Sequence, residues 1–306
     1  MKIGIFTHVD LLPDIARELR SAHEDGIDSF WITQGFGHDA LNVISAYGRD
    51  LPGLRIGTAV IPVYPRHPMA LAQQALTANQ IIGGNLVVGL GPSHPSVVEP
   101  CWGMSYDKPA RYMREYLEAF NGALTQRVRF QGEVITARGN LTIAGDPPIP
   151  AVMIAALGPV MLKVAGRHTA GTITWMVGRN TLRELTVPTI SDAAEAAGRP
   201  APEIIVTVPV CVTADPVRAR ADMDAVLSWY DDKPSYRAML DREGFSTSNQ
   251  LAIIGTADQV QDEIAAYAAA GATTVATQFY GTPDEKAAGR ELVGTIARRL
   301  KPVAAG

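Results

Sequence analysis

The sequence has few of the residues that would mark a secreted, disulfide-bonded or membrane-spanning protein. It contains only two cysteines, Cys101 and Cys211, which are too far apart in sequence to form a metal-binding motif. This usage favours a reduced, cytoplasmic setting. The chain begins MKIGIF and shows neither the pattern of a signal peptide nor an apolar run long enough for a transmembrane helix. We therefore expect a cytoplasmic protein without a membrane partner.

The chain also lacks a large excess of charge of either sign. Charged residues make up 19% of the chain, the net charge is −4, and no basic block occurs, so nucleic acid is not an expected partner. Hydrophobic residues make up 47% of the chain, which is typical of a compact globular protein with a large core.

The fingerprints of several enzyme classes are missing as well. There is no Gly-x-Ser-x-Gly nucleophile elbow, and the first strand is followed by THVD rather than by a glycine-rich dinucleotide motif. Gly89 and Gly91 lack the third glycine of that motif. His8 and Asp10 form one weak pair of metal ligands without a His-x-His. We therefore expect no serine hydrolase, no dinucleotide-binding motif of this type and no metal site.

Short apolar runs alternate with helical patterns along the whole chain. Eight such units in about 300 residues favour a (β/α)₈ TIM barrel as a single domain over residues 1–306, with a doubly wound open sheet as the alternative. The runs that predict strands are KIGIFT (2–7), DSFWIT (28–33), LRIGTAVI (54–61), NLVVGL (85–90), AVMIAAL (151–157), GTITWM (171–176), EIIVTVPVCVT (203–213) and TTVATQFY (273–280).

Two segments interrupt this alternation. Residues 127–150 combine alternating polar and apolar positions with glycines and prolines, which predicts a small hairpin inserted after the fourth unit. Residues 215–250 combine helical and irregular patterns and are predicted to form a lid over the barrel mouth. Asp107 is predicted to cap the helix that precedes the insertion, and Thr256 with Gln259 predicts a capping box on a later helix.

Polar residues follow the predicted strands, where the active sites of parallel α/β proteins lie. The fourth strand leads directly into GPSH (91–94), and the fifth leads into AALGP (155–159) at the start of a helix. A helix N-terminus preceded by small residues suits a phosphate, although an ordinary tight turn explains this motif alone better. Four of the six histidines lie near such corners: His8, His38, His67 and His94.

The chain resembles the luciferase-like flavin and deazaflavin enzymes, and within them the coenzyme F420-dependent branch. The resemblance rests on GTAVIPVYPRHPMALAQQALT, IIGGNLVVGLGPSHP and AVMIAALGPVMLKVAGRHTAG, and it extends to GTADQVQDEIAAYAAAGATTV near the end. It implies a TIM barrel with a deazaflavin across the C-terminal mouth, a small-molecule substrate and a homodimer. Coenzyme F420 is the implied cofactor, with FMN as the alternative. Relatives acting on sugar phosphates carry a glutamate where this chain has His94, so their chemistry is not carried over.

The resemblance also implies roles for individual residues. A non-prolyl cis peptide bond between Ala59 and Val60 forms a bulge behind the ring, Gln34 lies at the pyrimidine edge, and backbone N–H groups near Gly158 hold the phosphate. Candidates for the polyglutamate tail are Arg66, Lys163 and Arg167. The implied cofactor-binding residues are His8, Gln34, Ala59, Val60, Gly91, Pro92, Ser93, His94, Ala156, Leu157, Gly158 and Pro159.

Histidine suits proton exchange with the substrate, because its ordinary pKa lies near working pH. His94 is our first candidate for this role and His38 the second. The candidates for aromatic residues that line the substrate pocket are Tyr64, Trp102, Tyr106 and Trp175. The expected function is an F420-dependent oxidoreductase that transfers a hydride to or from a small organic substrate. An FMN-dependent monooxygenase and a non-catalytic flavin- or deazaflavin-binding protein are the alternatives.

Overall fold

Eight parallel strands close into a barrel in the computed structural model, which describes residues 1–8 and 10–301. The strands in chain order are β1 (Lys2–Thr7), β2 (Ser29–Ile32), β3 (Arg55–Thr58), β4 (Ile61–Pro62), β5 (Leu86–Gly91), β6 (Arg127–Gln131), β7 (Thr136–Asn140), β8 (Ala151–Ile154), β9 (Gly171–Trp175), β10 (Glu203–Val212), β11 (Ile253–Gly255) and β12 (Thr274–Phe279).

The barrel follows the order β1–β2–β3–β5–β8–β9–β10–β12, and it closes where β12 pairs in parallel with β1. This closure confirms the TIM barrel and excludes the open sheet. The short strands β4 and β11 pair with the carboxyl ends of β5 and β10. Since β4 follows a break after Thr58, the single third strand predicted over 54–61 is in fact two.

Helices follow the strands and pack side by side around the barrel. A π-helical turn (Leu182–Thr186) joins two of them, and single 3₁₀ turns occur at Ser228–Tyr230 and Ser248–Leu251. The α-helices are α1 (Leu12–Glu24), α2 (Ala40–Tyr47), α3 (Pro68–Ile81), α4 (Pro95–Trp102), α5 (Pro109–Leu124), α6 (Pro159–His168), α7 (Arg179–Thr181), α8 (Val187–Ala196), α9 (Pro216–Leu227), α10 (Pro234–Glu243), α11 (Ala257–Ala269) and α12 (Pro283–Leu300).

The helix caps agree with the sequence in one case and differ in another. Thr256 and Gln259 form the predicted capping box at the start of α11. The prediction that Asp107 caps α5 is wrong: Lys108 occupies that position with φ 52° and makes no side-chain cap. This left-handed residue separates Asp107 from the first turn of α5, so the Asp107 carboxylate cannot reach the free N–H groups there.

Side chains fill the inside of the barrel. The interior cluster contains Phe6, Trp31, Val87 and Met153, and it is separate from the larger core between the strands and the helices. A Cβ at Gly57 would lie 2.3 Å from the Trp31 ring, so a glycine is needed there for the indole to fit. The inside of the barrel is therefore a packed core rather than a channel.

The insertion forms the predicted hairpin, with β6 and β7 paired antiparallel. Two buried polar side chains fix it to the barrel. The Glu115 carboxylate accepts hydrogen bonds from the backbone N–H groups of Val134 (2.9 Å) and Ile135 (3.1 Å). The Asn79 amide donates to the Pro148 carbonyl at 2.7 Å and accepts from the Leu86 N–H at 2.9 Å. The buried Glu115 and Asn79 side chains thus both have hydrogen-bond partners, which offsets the cost of burying them.

Within residues 1–8 and 10–301, no helix combines the length and the apolar character that crossing a membrane would require.

Candidate functional site

A cavity of about 870 Å³ opens at the carboxyl ends of the barrel strands. Its volume lies within the range of small-molecule sites, and its position is the one where TIM barrels carry their chemistry. The floor consists of Ala59, Val60 and Gly91, and residues 226–236 of the predicted lid segment cover one side. Open space, barrel strands and lid thus meet at one place.

Most of the residues that the sequence singled out line this cavity. The structure brings them together from the carboxyl ends of β5 and β9 and from the segments that follow β1, β2, β3, β5 and β8, as the parallel barrel dictates. They are His8, Gln34, Ala59, Val60, Gly91, Pro92, Ser93, His94, Tyr106, Leu157, Gly158 and Trp175.

The other candidates lie outside the cavity lining. His38 is exposed on the loop before α2. Ala156 is buried behind the lining, and Pro159 is exposed in the first turn of α6. Tyr64 is buried in a stack with Tyr112, at a ring-centroid distance of 4.2 Å. The remaining candidate, Trp102, packs beside Phe36.

The cavity floor is built by close backbone approach between β3, β4 and β5. The structure has the predicted non-prolyl cis peptide bond between Ala59 and Val60. Just before it, the Thr58 hydroxyl donates to the Gly89 carbonyl and accepts from the Gly89 N–H, both at 2.9 Å. A Cβ at Gly91 would lie 2.4 Å from Val60 Cγ2. The floor is consequently smooth and mostly apolar, which suits a flat ring.

An opening for an anion lies at the start of α6. Gly158 precedes this ten-residue helix, and a Cβ placed on Gly158 would meet no atom within 4 Å. The first N–H groups of a helix have no intrahelical partner, and they carry partial positive charge toward this open space. Of the basic residues considered for a cofactor tail, Arg66 forms an ion pair with Asp39 at 2.8 Å, while Lys163 and Arg167 are exposed on α6.

His94 lies between the cavity floor and the lid. Its ring meets Trp229 edge to face at 5.4 Å and Tyr236 at 5.8 Å between centroids. Burial lowers the pKa of His94, and the positive charge of Lys233 lowers it further. The imidazole is therefore mainly neutral at neutral pH and able to accept a proton.

Replacing Lys233 with Gln is expected to raise the pKa of His94, because the substitution removes a nearby positive charge that opposes protonation. As the pH is lowered, a rate that requires neutral His94 should therefore begin to fall at a higher pH in Lys233→Gln than in the wild type. The pKa can be measured by NMR titration of the histidine ring protons. Lys286→Gln on α12 is the matched control. Equal His94 pKa values in the wild type and in Lys233→Gln would contradict this reading of the electrostatics.

His8 and Gln34 are both held by hydrogen bonds within the protein. His8 Nδ1 lies 2.7 Å from the Thr33 hydroxyl, and burial lowers the pKa of His8 while Asp10 opposes that shift. The Gln34 amide accepts from the Ala40 N–H at 3.2 Å and donates weakly to Asp39 at 3.4 Å. Both side chains are thus positioned before any ligand arrives.

Sequence reasoning missed the individual residues of the lid. It predicted a lid over 215–250, but it did not single out Trp229, Tyr230, Lys233 or Tyr236, all of which line the cavity. The available signal was the dense aromatic stretch SWYDDKPSY at 228–236 in a sequence with only 7% aromatic residues.

Comparison with known proteins gives relatives along most of the chain. The chain is 29% identical over 226 residues to the 5,10-methylenetetrahydromethanopterin reductase of Methanolobus tindarius, which covers 72% of this chain and 68% of that protein.

Two solved structures share the fold. An F420-dependent secondary alcohol dehydrogenase in complex with an F420–acetone adduct superposes with a TM-score of 0.83 at 18% identity, over 98% of this chain and 99% of that one. The oxygenating constituent of the 3,6-diketocamphane monooxygenase of Pseudomonas putida, in complex with FMN, gives a TM-score of 0.76 at 15% identity over 97% of each chain. At these identities the two structures speak for the fold alone.

The family follows from the sequence profile of the luciferase-like monooxygenases, which matches residues 1–274. That match covers every strand of the barrel except β12, of which it includes only the first residue, Thr274. The chain therefore belongs to the luciferase-like monooxygenase family.

Proposed function

We propose that the protein is a coenzyme F420-dependent oxidoreductase that transfers a hydride between the deazaflavin and a small organic substrate. One observation carries this proposal. The smooth floor at Val60 and Gly91 and the open start of α6 at Gly158 line the same cavity. A flat ring fits the first and an anionic tail fits the second. The structural neighbour in complex with an F420–acetone adduct agrees with this choice of cofactor.

The residues present fit such a cofactor. The missing side chain at Gly158 leaves room for a phosphate against backbone N–H groups, and the glycine at position 91 keeps the floor free of a side chain. The deazaflavin, when bound, supplies the hydride-transfer chemistry. The protein orients the ring through the floor, orients the tail through α6, and covers the substrate side with the lid.

His94 is the residue that exchanges the proton in this proposal. In the direction of substrate oxidation, its neutral imidazole accepts a proton from the substrate as the hydride leaves. In the reverse direction, the protonated ring returns that proton. General acid–base catalysis of this kind contributes about 10²–10⁴-fold to a rate. The lowered pKa of His94 favours the base form at neutral pH.

An FMN-dependent monooxygenase is the second candidate. Two observations favour it: the matching family profile bears the name of monooxygenases, and one structural neighbour contains FMN. The opening at Gly158 suits the phosphate of FMN as well as that of F420. The two functions differ in their reaction with oxygen, which a deazaflavin does not readily activate.

A titration of the protein with F420, FMN and NADPH side by side tests the proposal. We expect F420 to bind most tightly, and Gly158→Asp to weaken its binding by about tenfold or more, because the new carboxylate repels the phosphate in the open space. Gly158→Ala, which adds a methyl group without a charge, separates the loss caused by bulk from the loss caused by repulsion and should weaken F420 binding less than Gly158→Asp does. Affinity can be measured by calorimetry or by cofactor fluorescence.

Other outcomes of this titration point elsewhere. Tighter binding of FMN, together with oxygen consumption by the reduced complex, favours the monooxygenase. Tight cofactor binding without turnover of any substrate would indicate a carrier protein. No binding of either F420 or FMN would reject the proposal.

A further inference from the structure

The lid and the end of β9 together present a group of aromatic rings to the cavity, here called the aromatic wall and made of Trp175, Trp229, Tyr230 and Tyr236. Tyr230 stands at its centre. Its ring centroid lies 6.1 Å from that of Trp175, 5.0 Å from that of Trp229 and 4.8 Å from that of Tyr236, with steep interplanar angles in each pair. The wall is thus packed as a unit before any ligand binds.

The wall faces a part of the cavity that a cofactor ring on the floor does not need. Of the floor residues, Ala59 and Val60 lie between β3 and β4 and Gly91 ends β5, whereas the aromatic wall comes from the end of β9 and from the lid. The volume of about 870 Å³ lies near the upper end of the range for ligand sites, which leaves room for a second flat molecule beside the ring.

The lining is nearly free of charge. Among the described lining residues, only Asp232 and Lys233 carry a full charge, and they are neighbours of opposite sign. Lys233 holds its ammonium 4.3 Å from the centre of the Trp229 ring, a cation–π contact. His8 and His94 both have lowered pKa values through burial and stay mainly neutral. An ionised substrate would therefore leave its charge poorly compensated in this cavity.

The entrance is apolar as well. Trp229 is 49% exposed and Val226 is 55% exposed, and both belong to the cavity lining. Large apolar side chains left open to solvent mark places where an apolar ligand binds. Here they continue the aromatic wall outward, so the same ligand surface can contact the entrance and the interior.

We propose that the site takes an uncharged substrate with a flat aromatic ring system, which packs against the aromatic wall and is selected mainly by Trp229. This inference rests on the proposed function, because it assigns the cavity floor to the cofactor ring and the space beneath the lid to the substrate. It names a substrate class that excludes sugar phosphates and small carboxylates.

The test compares two probes of nearly equal size, neutral 2-acetylnaphthalene and anionic 2-naphthoate. Both are titrated by calorimetry into protein saturated with oxidised F420, so that binding is measured without turnover. We expect the neutral probe to bind about tenfold or more tightly than the anion. Trp229→Ala should weaken binding of the neutral probe by about tenfold, and Trp229→Phe should restore most of it. Phe36→Ala, an exposed aromatic residue outside the cavity, is the matched control and should bind like the wild type.

Three results would overturn the proposal. The first is naphthoate binding as tightly as the neutral probe. The second is competition between the neutral probe and F420, which would place both on the floor. The third is unchanged affinity in Trp229→Ala. Failure of the proposed function is distinguishable, because it appears as a lack of cofactor binding in a titration that contains no naphthyl compound.

Discussion

Replacing His94 with Ala is expected to lower turnover by about 10²–10⁴-fold while F420 affinity stays close to that of the wild type. The substitution removes the imidazole that faces the lid residues Trp229 and Tyr236, and it leaves the floor and the Gly158 opening intact. Turnover can be followed by the absorbance of the deazaflavin, and affinity by its fluorescence.

His38→Ala is the matched control for this experiment. His38 is exposed and lies outside the cavity lining, so its loss should leave turnover near the wild-type value. His94→Gln keeps a polar side chain without a titratable ring and should be as slow as His94→Ala. Full activity in His94→Ala, or an equal loss in His38→Ala, would remove His94 from the proton-exchange role.

Replacing Gly89 with Ala is expected to destabilise the folded protein by about 3 kcal/mol or more, since overpacking of a rigid core is rarely relieved. A Cβ at this position would lie 2.0 Å from the Thr58 carbonyl oxygen and 2.8 Å from Ile173 Cδ1. The new methyl group would also separate the Thr58 hydroxyl from the Gly89 backbone groups that it bridges. The midpoint of thermal unfolding should fall by about 5–10 °C.

Gly158→Ala again provides the comparison for Gly89→Ala. Gly158 has φ −84°, which any residue adopts, and open space surrounds the position of its missing Cβ. Circular dichroism on both variants separates the general effect of adding a methyl group from the clash at β5. A Gly89→Ala protein with an unchanged unfolding midpoint would show that β3 and β5 can move apart at little cost.

The barrel could be predicted from the sequence because its signals are local. Each apolar run that forms a barrel strand is short and is followed by a helical pattern, and this alternation alone favours eight βα units. Helix α4 was not predicted, since Pro95 and Pro100 are usually read as breaks. Pro95 in fact occupies the first helical position, where its missing N–H is of no consequence.

The candidate site was only partly predictable, because local sequence patterns do not encode contacts between distant parts of the chain. The floor and the Gly158 opening lie next to the strands that carry them, and the resemblance to known enzymes supplied the bond between Ala59 and Val60. The contact between His94 and Trp229 joins residues far apart in the chain, so no local pattern encodes it. Tyr64 was expected in the wall of the substrate pocket, but it is buried in the core. An aromatic residue near a strand end packs into the core as readily as into a pocket.

The filled interior of the barrel has a kinetic consequence. Among residues 1–8 and 10–301, Trp31 and its neighbours fill the barrel interior, and the cavity opens at the carboxyl ends of the strands. Under the proposed function, the cofactor ring on Ala59 and Val60 lies deeper than the substrate beneath the lid, so we expect the cofactor to bind first and to leave last. Steady-state kinetics should accordingly follow a compulsory order, with the deeper molecule first in and last out.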